Sequence, residues 1–360
     1  MYYLKGGTIM KRNKLLIIIL GIAIFSAFTC SSLIIVNGIK EGKKIFTNTA
    51  SPKRLNYPKP YILEKTKLNE FSEATIDLDY SNISIIPSDD YYLEYRLDGT
   101  CTEPEYNVSN GAFHFKEGYV QQKYRFSLNF FGSPSHTEPY YLNLYVPKEH
   151  YFNLLKLISD SGNINLEQIN AKKAEISAEY GNLTLGTLNA ENCNVIADSG
   201  NIDLKTLTCN DLTISAEYGN ITGDTITVSK DAKLTLDSGN LTLSQLTADM
   251  LKISNEYGNC SIDQITVKSS TISMDSGNLN FKNASLGNTS IDSEYGEISL
   301  ALTEDTSNYN YDITAEYGTL LIDGKKIKEN EDGNVIYQKQ NNQNKNTLYI
   351  HCDSGNIYLK

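Results

Sequence analysis

The chain has 360 residues, room for about two domains, and its 43 acidic against 32 basic residues give a formal net charge of −11. Residues 1–54 hold nine Lys/Arg and one acid, which leaves 23 basic and 42 acidic residues, a formal charge of −19, on 55–360. That balance excludes a nucleic-acid partner, which needs a basic footprint, and leaves cationic partners open: metal ions, basic peptides or positively charged surfaces.

A short tail, residues 1–14, carries Lys11, Arg12 and Lys14 ahead of an uncharged run from Leu15 to Val36. The run is long enough to cross a bilayer and too long for a typical signal-peptide core. Residues 15–37 are therefore expected to form a single transmembrane helix. Cys30 lies inside it, but the chain stays apolar through Val36, where a lipoprotein turns polar, so a retained anchor is preferred to a lipid one. Basic residues flank both ends of the span (Lys40, Lys43, Lys44, Lys53 and Arg54 follow it), so charge alone does not orient it. Residues 38–70 read as a linker.

Residues 71–153 read as an N-terminal β region and cap. Their strand signals are Ala74–Tyr80, Asn82–Pro87, Tyr91–Arg96, Gly111–Phe115 and Tyr141–Pro147. From residue 154 an acid, then Ser or Tyr, then glycine recurs ten times, ending at Gly162, Gly181, Gly200, Gly219, Gly239, Gly258, Gly277, Gly296, Gly318 and Gly355. A period near twenty marks a repeat architecture. Counted from each glycine, apolar residues fall at plus two and four (Leu183, Leu185), plus seven and nine (Leu188, Ala190) and plus twelve, fourteen and sixteen (Cys193, Val195, Ala197). Each group alternates as a half-buried strand does, and the skips between groups are bends.

The prediction is an all-β fold: a single-stranded triangular β-solenoid, or β-helix, of about 19 residues per coil. A propeller blade needs about twice that unit. Regular coils span 154–324, a polar insertion spans 325–347, and residues 348–360 supply the final solenoid strands. Solenoid ends need caps, for which residues 71–153 and the insertion are the candidates. Cys193, Cys209, Cys260 and Cys352 fall at inward positions as small hydrophobes; one bridge, Cys193 to Cys209 on neighbouring coils, stays open.

Asn82-Ile83-Ser84-Ile85, Tyr145-Val146-Pro147 and Asp160-Ser161-Gly162-Asn163-Ile164 resemble the bacterial putative-adhesin family of unknown function. The resemblance covers about residues 71–360. It implies a β-solenoid in a cell-envelope protein, often behind a membrane span, with adhesion or envelope-stress roles. It supplies no catalytic residue, and it tips the topology toward an extracytoplasmic solenoid. This chain departs from the commoner pattern by alternating Ser and Tyr before the glycine and by preferring Asn after it.

Three columns on the repeated corner are candidate features. The acids are read as caps on turn amides, against a row of cation sites. The post-glycine Asn residues (Asn163, Asn182, Asn201, Asn220, Asn240, Asn259, Asn278, Asn356) are read as a structural ladder. Tyr180, Tyr218, Tyr257 and Tyr295, alternating with Ser199, Ser238 and Ser276, are where a binding face for a peptide or glycan is sought. His114, His136, His150 and His351 are scattered, and neither a nucleophile elbow nor a phosphate loop occurs. The reading is non-catalytic, with no catalytic, cofactor-binding or metal residue assigned. The expected function is a membrane-anchored binding or scaffolding module, adhesin-like or sensing envelope stress, with a cationic peptide, a cation or a surface glycan as ligand. Two alternatives stay open: a bactofilin-like polymer stacking end to end, and a carbohydrate-active β-helix enzyme.

Overall fold

The computed structural model describes residues 58–119 and 138–360. The expected tail and span (1–37), most of the linker, Cys30 and His136 lie outside the described residues. No helix among the described residues is long and apolar enough to cross a membrane. The elements there are 24 strands and one short 3-10 turn, Thr306–Asn308.

Each repeat forms one coil with three paired segments. Strand Leu183–Ala197 lies parallel on Ile164–Ala178 with every partner offset by one repeat, and pairing lapses only at Gly186 and Glu191. Those two lapses and the glycine corner are the three bends the alternation requires. The same register continues from coil to coil through Leu241–Tyr257, Cys260–Ser276 and Leu279–Tyr295. Leu183, Leu185, Leu188, Cys193, Val195 and Ala197 are all buried, as are their counterparts Ile202, Leu204, Leu207, Ile214 and Ala216. Ala190, next to the Glu191 bend, is only partly buried against this core. The five cysteines in the described residues are buried and unbridged. Cys193 stands opposite Leu212 and Cys209 opposite Val228, so the two thiols sit in different columns and the open bridge does not form.

At both ends the spatial order of coils departs from chain order. The C-terminal strand Asn346–Ser354 lies between Leu279–Tyr295 (Ile291 opposite Ile350) and Tyr309–Tyr317 (Ile313 opposite Ile350). Ile357–Leu359 likewise lies between Ile298–Leu302 and Leu320–Ile322. The last coil in sequence is thus next to last in space. The N-terminal end mirrors this arrangement. Glu73–Leu78 is held between Ala112–Lys116 and Tyr151–Ser159, and Asn82–Ser88 between Tyr141–Pro147 and Ile164–Ala178. Residues 348–360, expected as the final solenoid strands, are last in the chain but not last in the stack.

Antiparallel strands close the stack. Tyr61–Lys67, within the stretch expected to be linker, pairs with Tyr92–Leu97, which pairs with Tyr141–Pro147. The alternation of Tyr61 and Leu63, both packed on the core, explains it. Glu105–Ser109 pairs with Ala112–Lys116 through Asn110-Gly111, both at positive φ. Asp323-Gly324 repeats that geometry between Leu320–Ile322 and Lys325–Lys326. These are the two-residue turns that hairpins favour. The 325–347 segment does more than bulge: its strand Val335–Lys339 runs antiparallel along Tyr309–Tyr317.

The N-terminal cap is built on rings. Phe71 meets Tyr91 at 4.9 Å and Phe113 at 5.4 Å between centroids, and His150 meets Phe152 edge-on at 4.2 Å. Tyr91 Oη lies 3.1 Å from His150 Nδ1. Burial pushes the His150 imidazole down from 6.5 to about 4. Because the folded value is the lower one, the unfolded chain takes up this proton first as pH falls. The His150 contribution is complete above about pH 6.5 and is lost progressively toward pH 4. Thermal melts across that window should show stability falling in the wild type, and a flatter profile in His150→Phe.

Candidate functional site

The corner is the most repeated piece of geometry in the molecule. Its amides bond to the carbonyls of the coil before: Tyr180 N to Asp160 O, Ser199 N to Glu179 O and Tyr218 N to Asp198 O, each 2.7 Å. The corners lie so close that a Cβ on Gly200 would stand 2.0 Å from the Gly181 carbonyl oxygen. On Gly258, which also has φ of +148°, it would stand 1.9 Å from that of Gly239. Only glycine fits there.

One residue on, the asparagines form a ladder. The Oδ1 of Asn182 accepts from Asn201 N at 2.9 Å, and that of Asn201 from Asn220 N at 2.9 Å. The same bond starts at Asn82, which accepts from Asn163 N, and runs to Asn278, which accepts from Glu297 N. Asn356 resumes it by accepting from Thr319 N at 3.1 Å. These bonds satisfy the backbone at a bend where strand pairing lapses.

The acids behave differently from the expectation. In the regular coils, from Asp160 to Glu294, no corner carboxylate accepts a hydrogen bond from a corner amide, because backbone carbonyls already take those donors. Their oxygens are left to solvent in a continuous acidic column. At its N-terminal end burial, then the charge of Asp160, raises the Asp79 carboxyl above its ordinary range.

The first corner lacks a preceding coil to supply acceptors, and Glu117 replaces it. Its buried carboxylate accepts from Asp79 N at 2.8 Å, Tyr80 N at 3.3 Å and Ser81 Oγ at 3.1 Å. Burial raises its pKa, while those three bonds pull it back. Sequence reasoning missed Glu117, which carries no motif.

Spatial order gives the tyrosines their meaning. In chain order the Ser/Tyr alternation fails at the end, since Tyr295 is followed by Tyr317 and then Ser354. In the structure Ser354 pairs with both Tyr295 and Tyr317. At the other end Tyr80 stands before Ser161, whose amide bonds to Asp79 O at 2.7 Å. Through the stack the column therefore reads Tyr80, Ser161, Tyr180, Ser199, Tyr218, Ser238, Tyr257, Ser276, Tyr295, Ser354, Tyr317, without a break. The six rings are 57 to 76 % exposed, so they are not corner packing. Coils about 4.8 Å apart place the rings about 10 Å apart over nearly 50 Å, with the acids alongside.

The histidines do not join this edge as a group. His114 is exposed on the N-terminal cap, His150 is in the ring cluster, and His351 pairs with Asp353.

A family model described as Toastrack DUF4097 matches residues 71–204 and 193–360. The chain belongs to the Toastrack family. Among solved structures it is similar to a putative adhesin from Parabacteroides distasonis (13% identity, TM-score 0.45), covering 68% of this chain and 98% of that one. It is also similar to a putative adhesin from Parabacteroides merdae (15% identity, TM-score 0.33), covering 65% and 96%. A third is a putative cell adhesion protein from Clostridium sporogenes (11% identity, TM-score 0.21), covering 84% and 99%. No curated protein matches the chain. The Toastrack repeat in this protein is the 19-residue coil with its glycine corner.

Gly200→Ala forces a Cβ into a backbone oxygen that cannot move aside, and should cost about 1–3 kcal/mol. Asn201→Ala deletes one ladder acceptor and should cost about 1 kcal/mol. Urea unfolding of both variants beside the wild type checks the ranking.

Proposed function

We propose that this Toastrack protein is a non-catalytic binding and scaffolding module, adhesin-like in use. Its working surface is the tyrosine and acid edge, and its ligand is an extended, cationic partner. The observation that carries the reading is the unbroken alternation of exposed tyrosines in space, kept even where chain order breaks it. Tyrosine gives contact area at small entropic cost and is enriched at interfaces. The neighbouring carboxylates have no cation partner in the regular coils apart from solvent, and the −19 formal charge of residues 55–360 favours encounter with positive ligands.

Membrane attachment through residues 15–37 and an extracytoplasmic solenoid complete the proposal; the support for attachment is the uncharged run itself. The antiparallel strands at both ends favour a discrete particle over end-to-end stacking. Tyr61–Lys67 and Val335–Lys339 are short edge strands bearing Lys65, Lys67 and Lys339, the kind of edge that resists further pairing.

Replacing Tyr218, Tyr257 and Tyr295 together by Ser in the full chain should weaken binding of a lysine-rich peptide at least about tenfold, as loss of aromatic anchors does. The melting temperature should hold, because the rings are exposed. Unchanged peptide affinity in a folded triple variant would remove the proposed surface.

A further inference from the structure

We infer that Glu316, His351 and Asp353 form a binding site for a divalent ion of the zinc class at the C-terminal end of the acid column, an inference that does not rest on the peptide-binding reading. One donor atom from each, an imidazole nitrogen and two carboxylate oxygens, lies within 4.8 Å of the others. His351 Nε2 is 2.9 Å from Asp353 Oδ1. Both side chains are about half exposed, at 48 and 47 %, so the donors are open to solvent and to an incoming ion.

The site exists only because of the coil order. Glu316 belongs to the strand Tyr309–Tyr317 and the other two to Asn346–Ser354, which the intercalated last coil brings side by side. His351 is also an exception in its own column. The residues at the same place before the corner in other coils are Ser or Thr in six cases (Ser177, Ser215, Thr235, Ser254, Ser273, Thr314) and Ile158, Ile196 and Asp292 in the others, so His351 is the one imidazole. An imidazole here, next to two column acids, gives a donor set found nowhere else along the edge among the described residues. Asp292 stands opposite His351 on the coil before, and a shallow pocket on this face includes Asp292, Asp312, Thr314 and His351.

The chemistry of the donors selects the ion. Zinc takes nitrogen and oxygen at about 2.0–2.2 Å, and three protein ligands with an open fourth position is a common set. Donors within 4.8 Å of one another stand only a little wider than the ligands of such an ion do. Calcium and magnesium demand oxygen ligands in larger number, and imidazole favours the transition series. A bound ion ties the last coil to the coil that carries the C-terminal cap, and so opposes peeling of the chain end.

The test is calorimetric titration of metal-stripped full-length protein with zinc, with calcium as the comparison ion. One saturable zinc equivalent is expected, weakened by more than about tenfold in His351→Ala, a scale that even outer-shell partners reach. Asp353→Asn should weaken it as well, while calcium uptake stays the same in His351→Ala. Zinc should raise the melting temperature of the wild type and not that of His351→Ala, as binding to the folded state alone requires. Without metal, His351→Ala should melt with the wild type, which separates ion binding from folding. Absence of saturable zinc uptake overturns the inference. So does equal zinc uptake by wild type and folded His351→Ala, which would mean adsorption along the acidic column.

Discussion

Where one corner of this molecule lies on the next, there is no room for a side chain. The carbonyl oxygen of each corner glycine sits about where the next glycine's Cβ would be, and this contact sets the register of the whole stack. Once the corners are locked at one coil per repeat, every other column follows. The asparagine amides fall within bonding distance of each other, the inward leucines, isoleucines and valines line up as a continuous core, and the tyrosines fall on one edge. No single coil buries much by itself; the stack does.

The ends show the same logic applied to the chain termini. A terminal strand at the edge of a stack has one neighbour and frays easily. Here the first and last coils in sequence each have two neighbours, so the backbone groups of Glu73–Leu78 and Asn346–Ser354 are paired on both sides. The exposed edges are left to hairpins with tight Asn-Gly and Asp-Gly turns and charged strands. Glu117 does for the first corner what a preceding coil does for the others.

Much of this was legible in the residues. Period-two groups separated by skips named Leu183, Leu188 and Val195 as core, and the repeated asparagine announced a ladder, because both depend only on local pattern and a fixed step. Coil order was harder to read, because it is a long-range choice between edges of equal shape. A signal was nevertheless present in the interrupted alternation of Tyr295, Tyr317 and Ser354, which inserting the last coil repairs. The hairpin dipeptides Asn110-Gly111 and Asp323-Gly324 were also readable turn signals. The acids were misread as caps, since carboxylates cap turns only when backbone carbonyls leave the amides free, and here the neighbouring coil takes them. Glu117 and His150 are single residues whose roles come from tertiary burial, for which periodicity has no sign.

The tyrosine edge, the zinc-class cluster and the closed C-terminal end all rest on the last coil lying inside the stack. Disulfide trapping measures that placement most directly. Ser290 and Asp312 both flank Tyr349, on opposite sides. Neighbouring coils bring Cα atoms about 4.8 Å apart, within reach of a disulfide, whereas two coils do not. Under mild oxidation the pair Ser290→Cys with Tyr349→Cys should crosslink, and the pair Ser290→Cys with Asp312→Cys should not. The reverse pattern would mean that coils stack in chain order, and would contradict the account.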